Sequence, residues 1–197
     1  MKKFLLSTAI LIVAGISAKA QLSLGVKGGV NFSQINADNV KESTVAGYQA
    51  GVFARFGSST YLQPEVYLGS QGGKFDFNYN DGGNTAATSG KVTFTTLNVP
   101  LLLGKRFGSQ NLNFRLMVGP VYSYMLSTNK SFSDNVNGAY QDFGHYNNST
   151  LGFQAGGGVD IGSLTADLRY EGGLTHINPA YGQRQNLWAL SVGFKIF

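Results

Sequence analysis

Nine charged residues recur at alternate positions of apolar-rich segments: Lys27, Arg55, Glu65, Arg106, Arg115, Asp167, Arg169, Glu171 and Lys195. Within a segment, their immediate neighbours are mostly Leu, Val, Phe or Tyr. Such spacing suits groups gathered on one face of extended chain, where carboxylates and cations compensate one another. The chemistry expected of them is an interior ion-pair and hydrogen-bond network. Other constellations are poorer. His145 and His176 are the only histidines, and no third ligand accompanies them, so they read as solvated loop residues. Glu171, His176 and nearby serines do not by themselves make a nucleophile, a base and an oxyanion hole. Gly156-Gly157-Gly158 lacks the Lys-Ser/Thr of a phosphate loop and reads as close packing in a strand. No catalytic residue, metal ligand or cofactor site is expected.

Eight segments must position these residues. From Leu22 to Ser33, Leu22, Leu24, Val26, Val30 and Phe32 alternate with Ser23, Gly25, Lys27, Gly29, Asn31 and Ser33. In the second, Tyr48, Ala50, Val52, Ala54 and Phe56 oppose Gln49, Gly51, Phe53 and Arg55, and in the third Leu62, Pro64, Val66 and Leu68 oppose Tyr61, Gln63, Glu65, Tyr67 and Gly69. The fourth spans roughly 92–107 and the fifth runs from Asn113 to Leu126. The sixth, Leu151 to Ile161, sets Gly152, Gln154, Gly156, Gly158 and Asp160 against an apolar phase. In the seventh Thr165, Asp167, Arg169 and Glu171, and in the eighth Ala189, Ser191, Gly193 and Lys195, again share one phase. Tight connections at 57–60, 108–111 and 162–163 alternate with long polar stretches at 34–44, 75–90, 131–148 and 174–186.

The pattern predicts an all-β, eight-stranded antiparallel up-and-down barrel that crosses a membrane. Eight strands enclose a space that side chains fill, too narrow for one whole set of Leu, Phe, Tyr and Trp. The apolar phase therefore faces lipid and the charged phase faces inward. A lipid-facing Lys or Arg at the midplane costs about 2–4 kcal/mol, which reinforces the assignment. Lys105 breaks the phase, but beside the Gly108 turn, where the cost falls to about 0–1 kcal/mol. Hydrocarbon also forbids an open sheet edge, so the first strand must pair with the last. Tyr122, Tyr124, Tyr170 and Trp188 fall in the outward phase and are expected to form an aromatic girdle at the headgroups. Pro64, Pro100 and Pro120 each remove a ladder donor; a bulge or widened register is expected between Pro100 and Pro120.

Residues 1–20 are read as a cleavable signal peptide: Lys2 and Lys3 precede an apolar run, and Ala18-Lys19-Ala20 offers a small-residue cleavage site. Domain 21–197 then forms the barrel. Lys2, Lys3 and Lys19 lie in the leader, so 15 Lys and Arg fall to 12 against 10 Asp and Glu, and the net charge drops from +5 to +2. That removes the basic bias that would suggest nucleic acid. The absence of cysteine excludes disulfides and thiolate metal sites.

Several short motifs occur in order along the chain: Gly25-Val26-Lys27-Gly28-Gly29-Val30-Asn31, Leu62-Gln63-Pro64-Glu65 with Gly69-Ser70-Gln71-Gly72, and Leu97-Asn98-Val99-Pro100-Leu101-Leu102. Gly152 to Gly158 and the closing Leu190 to Phe197 follow. Over most of residues 21–197 the chain resembles the outer-membrane β-barrel domain family abundant in Bacteroidetes, the PorT-like barrels. The resemblance implies a multi-pass outer-membrane barrel, with three short periplasmic turns, four long external loops and no catalytic residues. It implies outer-membrane lipids and the barrel-assembly machinery as partners, and a monomer. It allows a membrane scaffold that binds an extracellular or secretion-system partner through its loops, with a narrow, porin-like pore or a secretion-complex component as the alternative. Phe197 looks like an assembly signal, yet it shares the phase of Lys195, which points to a bulge or fraying at the last residue.

Overall fold

Strict alternation of apolar and polar residues gives each strand two unlike faces, and closing the sheet satisfies both at once. The structure is a computed structural model that describes residues 22–36, 41–81, 84–109, 111–132, 148–175 and 184–197. The signal-peptide segment, His145 and His176 lie outside the described residues.

The described residues form nine strands: β1 Leu22–Asn36, β2 Lys41–Ser43, β3 Val45–Gly57, β4 Thr60–Asp81, β5 Asn84–Gly108, β6 Leu112–Phe132, β7 Ser149–Ile161, β8 Leu164–Gly173 and β9 Arg184–Lys195. Eight of them close an antiparallel barrel. β1 pairs with β3 on one side and with β9 on the other, and the remaining strands follow in sequence from β3 through β4 and β5 to β9. β2 is a short extra rung on the outer end of β4, pairing Lys41 with Asp76 and Ser43 with Lys74.

The three tight connections fall where glycine must supply a positive φ. Gly57 (φ 120°), Gly108 (φ 116°) and Gly162 (φ 57°) end β3, end β5 and open the β7–β8 turn. On the other rim the expectation of a loop over 75–90 is overturned. β4 and β5 continue as a ladder from Lys74↔Lys91 to Asp81↔Asn84. Phe75, Phe77 and Tyr79 supply alternate strand-forming residues there, which is how a strand rather than a loop is encoded. β6 follows β5 outward to Gly90↔Phe132, whereas its ladder with β7 stops at Tyr124↔Ser149. The barrel is therefore lopsided. Strands of 22, 25 and 21 residues form one wall, and strands of 13, 10 and 12 residues stand opposite.

The prolines interrupt pairing without shifting it. The β5–β6 ladder skips from Pro100↔Val121 to Leu103↔Val118, and β4–β5 skips from Pro64↔Leu101 to Tyr67↔Asn98, each resuming in the same register. The bulge expected between Pro100 and Pro120 lies farther out, at Thr95/Thr96, where Leu126 is the extra residue between Met125 and Ser127. Leu101 pairs with Pro64 and, in the β5–β6 register, falls opposite Pro120. The missing donors thus lie in one patch, where a gap suffices. At the C-terminal end, the amides of Ile196 and Phe197 both donate to the Leu24 carbonyl, at 2.7 and 3.4 Å. Two successive donors on one acceptor mark the irregularity that Phe197's phase demanded.

Candidate functional site: the closed interior and the unequal rim

Inward-facing side chains of seven barrel strands build one continuous ion-pair chain. Lys27 on β1 pairs with Glu65 on β4. Arg169 on β8 reaches across the lumen to grip Glu65 with two parallel bonds, Nη1 to Oε2 and Nη2 to Oε1, each 2.8 Å. Its Nη2 also meets Asp167 Oδ2 at 2.6 Å. Asp167 Oδ1 takes Arg115 Nη2 at 2.5 Å, and Arg115 Nε lies 2.9 Å from Asp160 Oδ1. Asp160 ends the chain by holding Arg55 Nη1 at 2.9 Å and Lys195 Nζ at 3.5 Å. Each link extends the network by one residue, joining five cations to three carboxylates.

Neutral groups satisfy much of what remains. Gln63 takes Arg55 Nε at 2.7 Å through its carbonyl oxygen and donates through its amide to Glu65 Oε1 at 2.5 Å. Thr165 accepts from Arg115. Arg55 lies over the Tyr61 and Phe53 rings at 5.0 and 5.4 Å from their centroids, and Lys27 over Tyr67 at 4.5 Å. Charges this deeply buried require such partners, because an unpaired ion in a packed interior costs several kcal/mol. Glycines on β7 make the room: a Cβ at Gly158 would strike Asp167 and Arg115, and one at Gly156 would strike Arg169. Leu102, Met117 and Val121 pack inward from β5 and β6, completing a lumen filled by side chains.

Two of the nine expected network residues stand apart. Arg106, half-buried near the turns, lies 6.0 Å from the Tyr61 ring centroid and meets no carboxylate among the described residues. Glu171, buried on the opposite side of the chain, accepts from Gln154 Nε2 at 2.8 Å and Tyr67 Oη at 3.4 Å instead of pairing with a cation. Asp160, which is not among those nine, is the hub of the network. Its inward phase in the Gly152–Asp160 segment was the available signal, but its three cations arrive from β3, β6 and β9, and no local spacing announces that convergence.

Outside, the apolar phase is exposed along every stave, as at Leu116, Val118, Leu168 and Val192. Lys105 also points outward and leans over the Phe107 ring at 5.5 Å. The four aromatics lie toward the long-strand rim. Tyr170 and Trp188 are register partners with ring centroids 5.2 Å apart, and Phe153 adds a third ring 6.1 Å from Tyr170. Tyr122 and Tyr124 stand outward on β6, opposite Leu151 and Ser149. At that rim β2, β4, β5 and β6 continue as a sheet, and among the described residues β6 beyond Met125 pairs with β5 alone.

A family model described as an outer membrane protein beta-barrel domain matches residues 17–178. No curated protein matches the sequence. Among solved structures, the chain is similar to Ail, the attachment invasion locus protein of Yersinia pestis, in complex with the heparin analogue sucrose octasulfate, at 12% identity over 89% of this chain and 99% of that one, with a TM-score of 0.47. Neisserial surface protein A gives 13% identity, the same two coverages and a TM-score of 0.47. The N-terminal β-barrel domain of Pseudomonas aeruginosa OprF gives 14% identity over 90% of this chain and all of that one, with a TM-score of 0.36.

Proposed function

Because the chain belongs to the outer membrane protein β-barrel domain family, we propose that it is a non-enzymatic outer-membrane scaffold whose tall β2–β4–β5–β6 wall binds an external partner. One observation carries this reading: the lumen is occupied by linked ion pairs while three neighbouring strands run some ten residues past the others. A membrane crossing needs only about 9–11 residues per strand. The excess length therefore serves the exterior. Among the described residues the outer part of β6 beyond Met125 pairs with β5 alone, an arrangement that suits addition of an extended segment from the partner. The PorT-like motifs, such as Leu62-Gln63-Pro64-Glu65, favour a secretion-system component as that partner. The packed interior argues against a conducting role.

The test is to trim the wall. Gly73 pairs with Val92, so residues 74–91 can be replaced by an Asn-Gly turn without altering the register below. The trimmed protein is expected to insert normally but to lose association with the surface or complex that the full-length protein binds. Unchanged association would refute the proposal.

A further inference from the structure

Above the ion-pair chain, on the side of the long strands, a small polar cavity of about 20 Å³ lies between β4, β5, β6, β7 and β8. Its polar lining includes Glu171, Gln71, Thr96, Ser123 and Thr150, and it opens past the exposed Asn148 and Thr175. We infer that this cavity is a binding site for one small monovalent cation, held by the Glu171 carboxylate and neutral oxygens and entered from the outer rim.

Glu171 supplies the first observation. It is 8% exposed, and among the described residues it is the interior carboxylate that no cation pairs. Gln154 and Tyr67 both donate to its Oε2, and among the described residues no donor meets its Oε1. A carboxylate in a packed interior is costly to keep charged unless a countercharge or a full set of donors meets it, and donors to one oxygen leave the other open. Gln71 and Ser123 supply the second. They are 2% and 8% exposed, line the cavity, and have no side-chain hydrogen-bond partner among the described residues. Polar ends that face a small cavity without protein partners suit a bound ion or water there. Thr96 Oγ1 is already oriented, accepting from Asn98 Nδ2 at 3.0 Å and donating to the Gly69 carbonyl at 3.3 Å.

Charge and size select the ion. The space holds about one water-sized particle. One carboxylate with carboxamide and hydroxyl oxygens balances a single positive charge, and the described residues hold no cluster of three acidic or histidine ligands to suit a divalent ion. Lys27, the nearest cation of the chain below, is engaged by Glu65 and stacked on Tyr67, so it does not fill the place.

The experiment uses the full folded protein in detergent. Its urea unfolding is followed in sodium or potassium chloride against choline chloride at equal ionic strength, and crystals are soaked in thallous acetate. Sodium or potassium at ten times its dissociation constant is expected to raise the folded-to-unfolded ratio about elevenfold over choline. An anomalous peak is expected between Glu171 and Ser123. Glu171→Gln should abolish both effects and Ser123→Ala should weaken the first. Equal stability in all three salts with only water in the cavity, or cation stabilisation that persists in a folded Glu171→Gln variant, would overturn the assignment. If Glu171→Gln does not fold, the thallium peak in the unaltered protein decides. Partner association through the outer wall is a separate readout that neither result touches.

Discussion

Arg169 and Glu65 meet fork to fork across the lumen, with two bonds of 2.8 Å joining β8 to a strand that is not its neighbour in the barrel. This pair ties opposite walls together and is the second of the five links that run from Lys27 to Asp160. Removing one partner leaves the other charge buried and unpaired. Glu65→Ala or Arg169→Ala is expected to destabilise the barrel by about 3–5 kcal/mol, while the double variant costs less than the sum. Urea unfolding of refolded protein, arranged as a double-mutant cycle, measures the coupling.

The outward phase makes a complementary prediction. Val118 faces out from the middle of the β6 crossing, two residues beyond the level of Lys105, so Val118→Arg should cost about 2–4 kcal/mol. Leu112, beside the turn, should tolerate arginine at about 0–1 kcal/mol. Reversible folding into lipid vesicles distinguishes these depths, and equal costs at both positions would place the membrane wrongly.

How far such depths could be read beforehand depends on which interaction sets them. Alternation is local, so the eight staves, the three turns and the inward phase of residues such as Arg115 and Arg169 were legible in the residue order alone. Hub Asp160 was not, because its partners arrive from three other strands in a register that only closure defines. The long wall escaped for a different reason: Lys74, Asp76 and Asn78 gave 75–90 the polarity of a loop, although Phe75, Phe77 and Tyr79 between them kept strand alternation. The prolines were recognised as a disturbance, but a skipped pair and a shifted register look alike until the ladders on both sides are seen.

The turns differ in what they tolerate. Gly57 has φ 120°, and a Cβ there would run into the Thr60 carbonyl, so Gly57→Ala is expected to cost about 1–3 kcal/mol. Gly162 has φ 57° with open space around it, so Gly162→Asn should be nearly neutral. Refolding yield and urea midpoint of the two variants check the contrast.

Trp188 is the single tryptophan in the chain, and it packs against Tyr170 on the outer face. If these rings form a headgroup girdle, its fluorescence should be quenched most by lipids labelled near the glycerol backbone and least by lipids labelled at the acyl terminus. The reverse order would put Trp188 in the hydrocarbon centre. Trp188→Ala should also cost about 0.5–1.5 kcal/mol for the lost ring pair, in addition to the loss of buried area.

The central claim, that the barrel body is a closed support and the outer wall carries specificity, is tested most directly by planar-bilayer recording of the purified folded protein. The ion-paired lumen predicts no ion-selective conductance steps under an applied potential. Reproducible steps of constant size, altered by Glu65→Gln or Asp160→Asn, would show that ions pass along the chain that here fills the interior and would contradict the account.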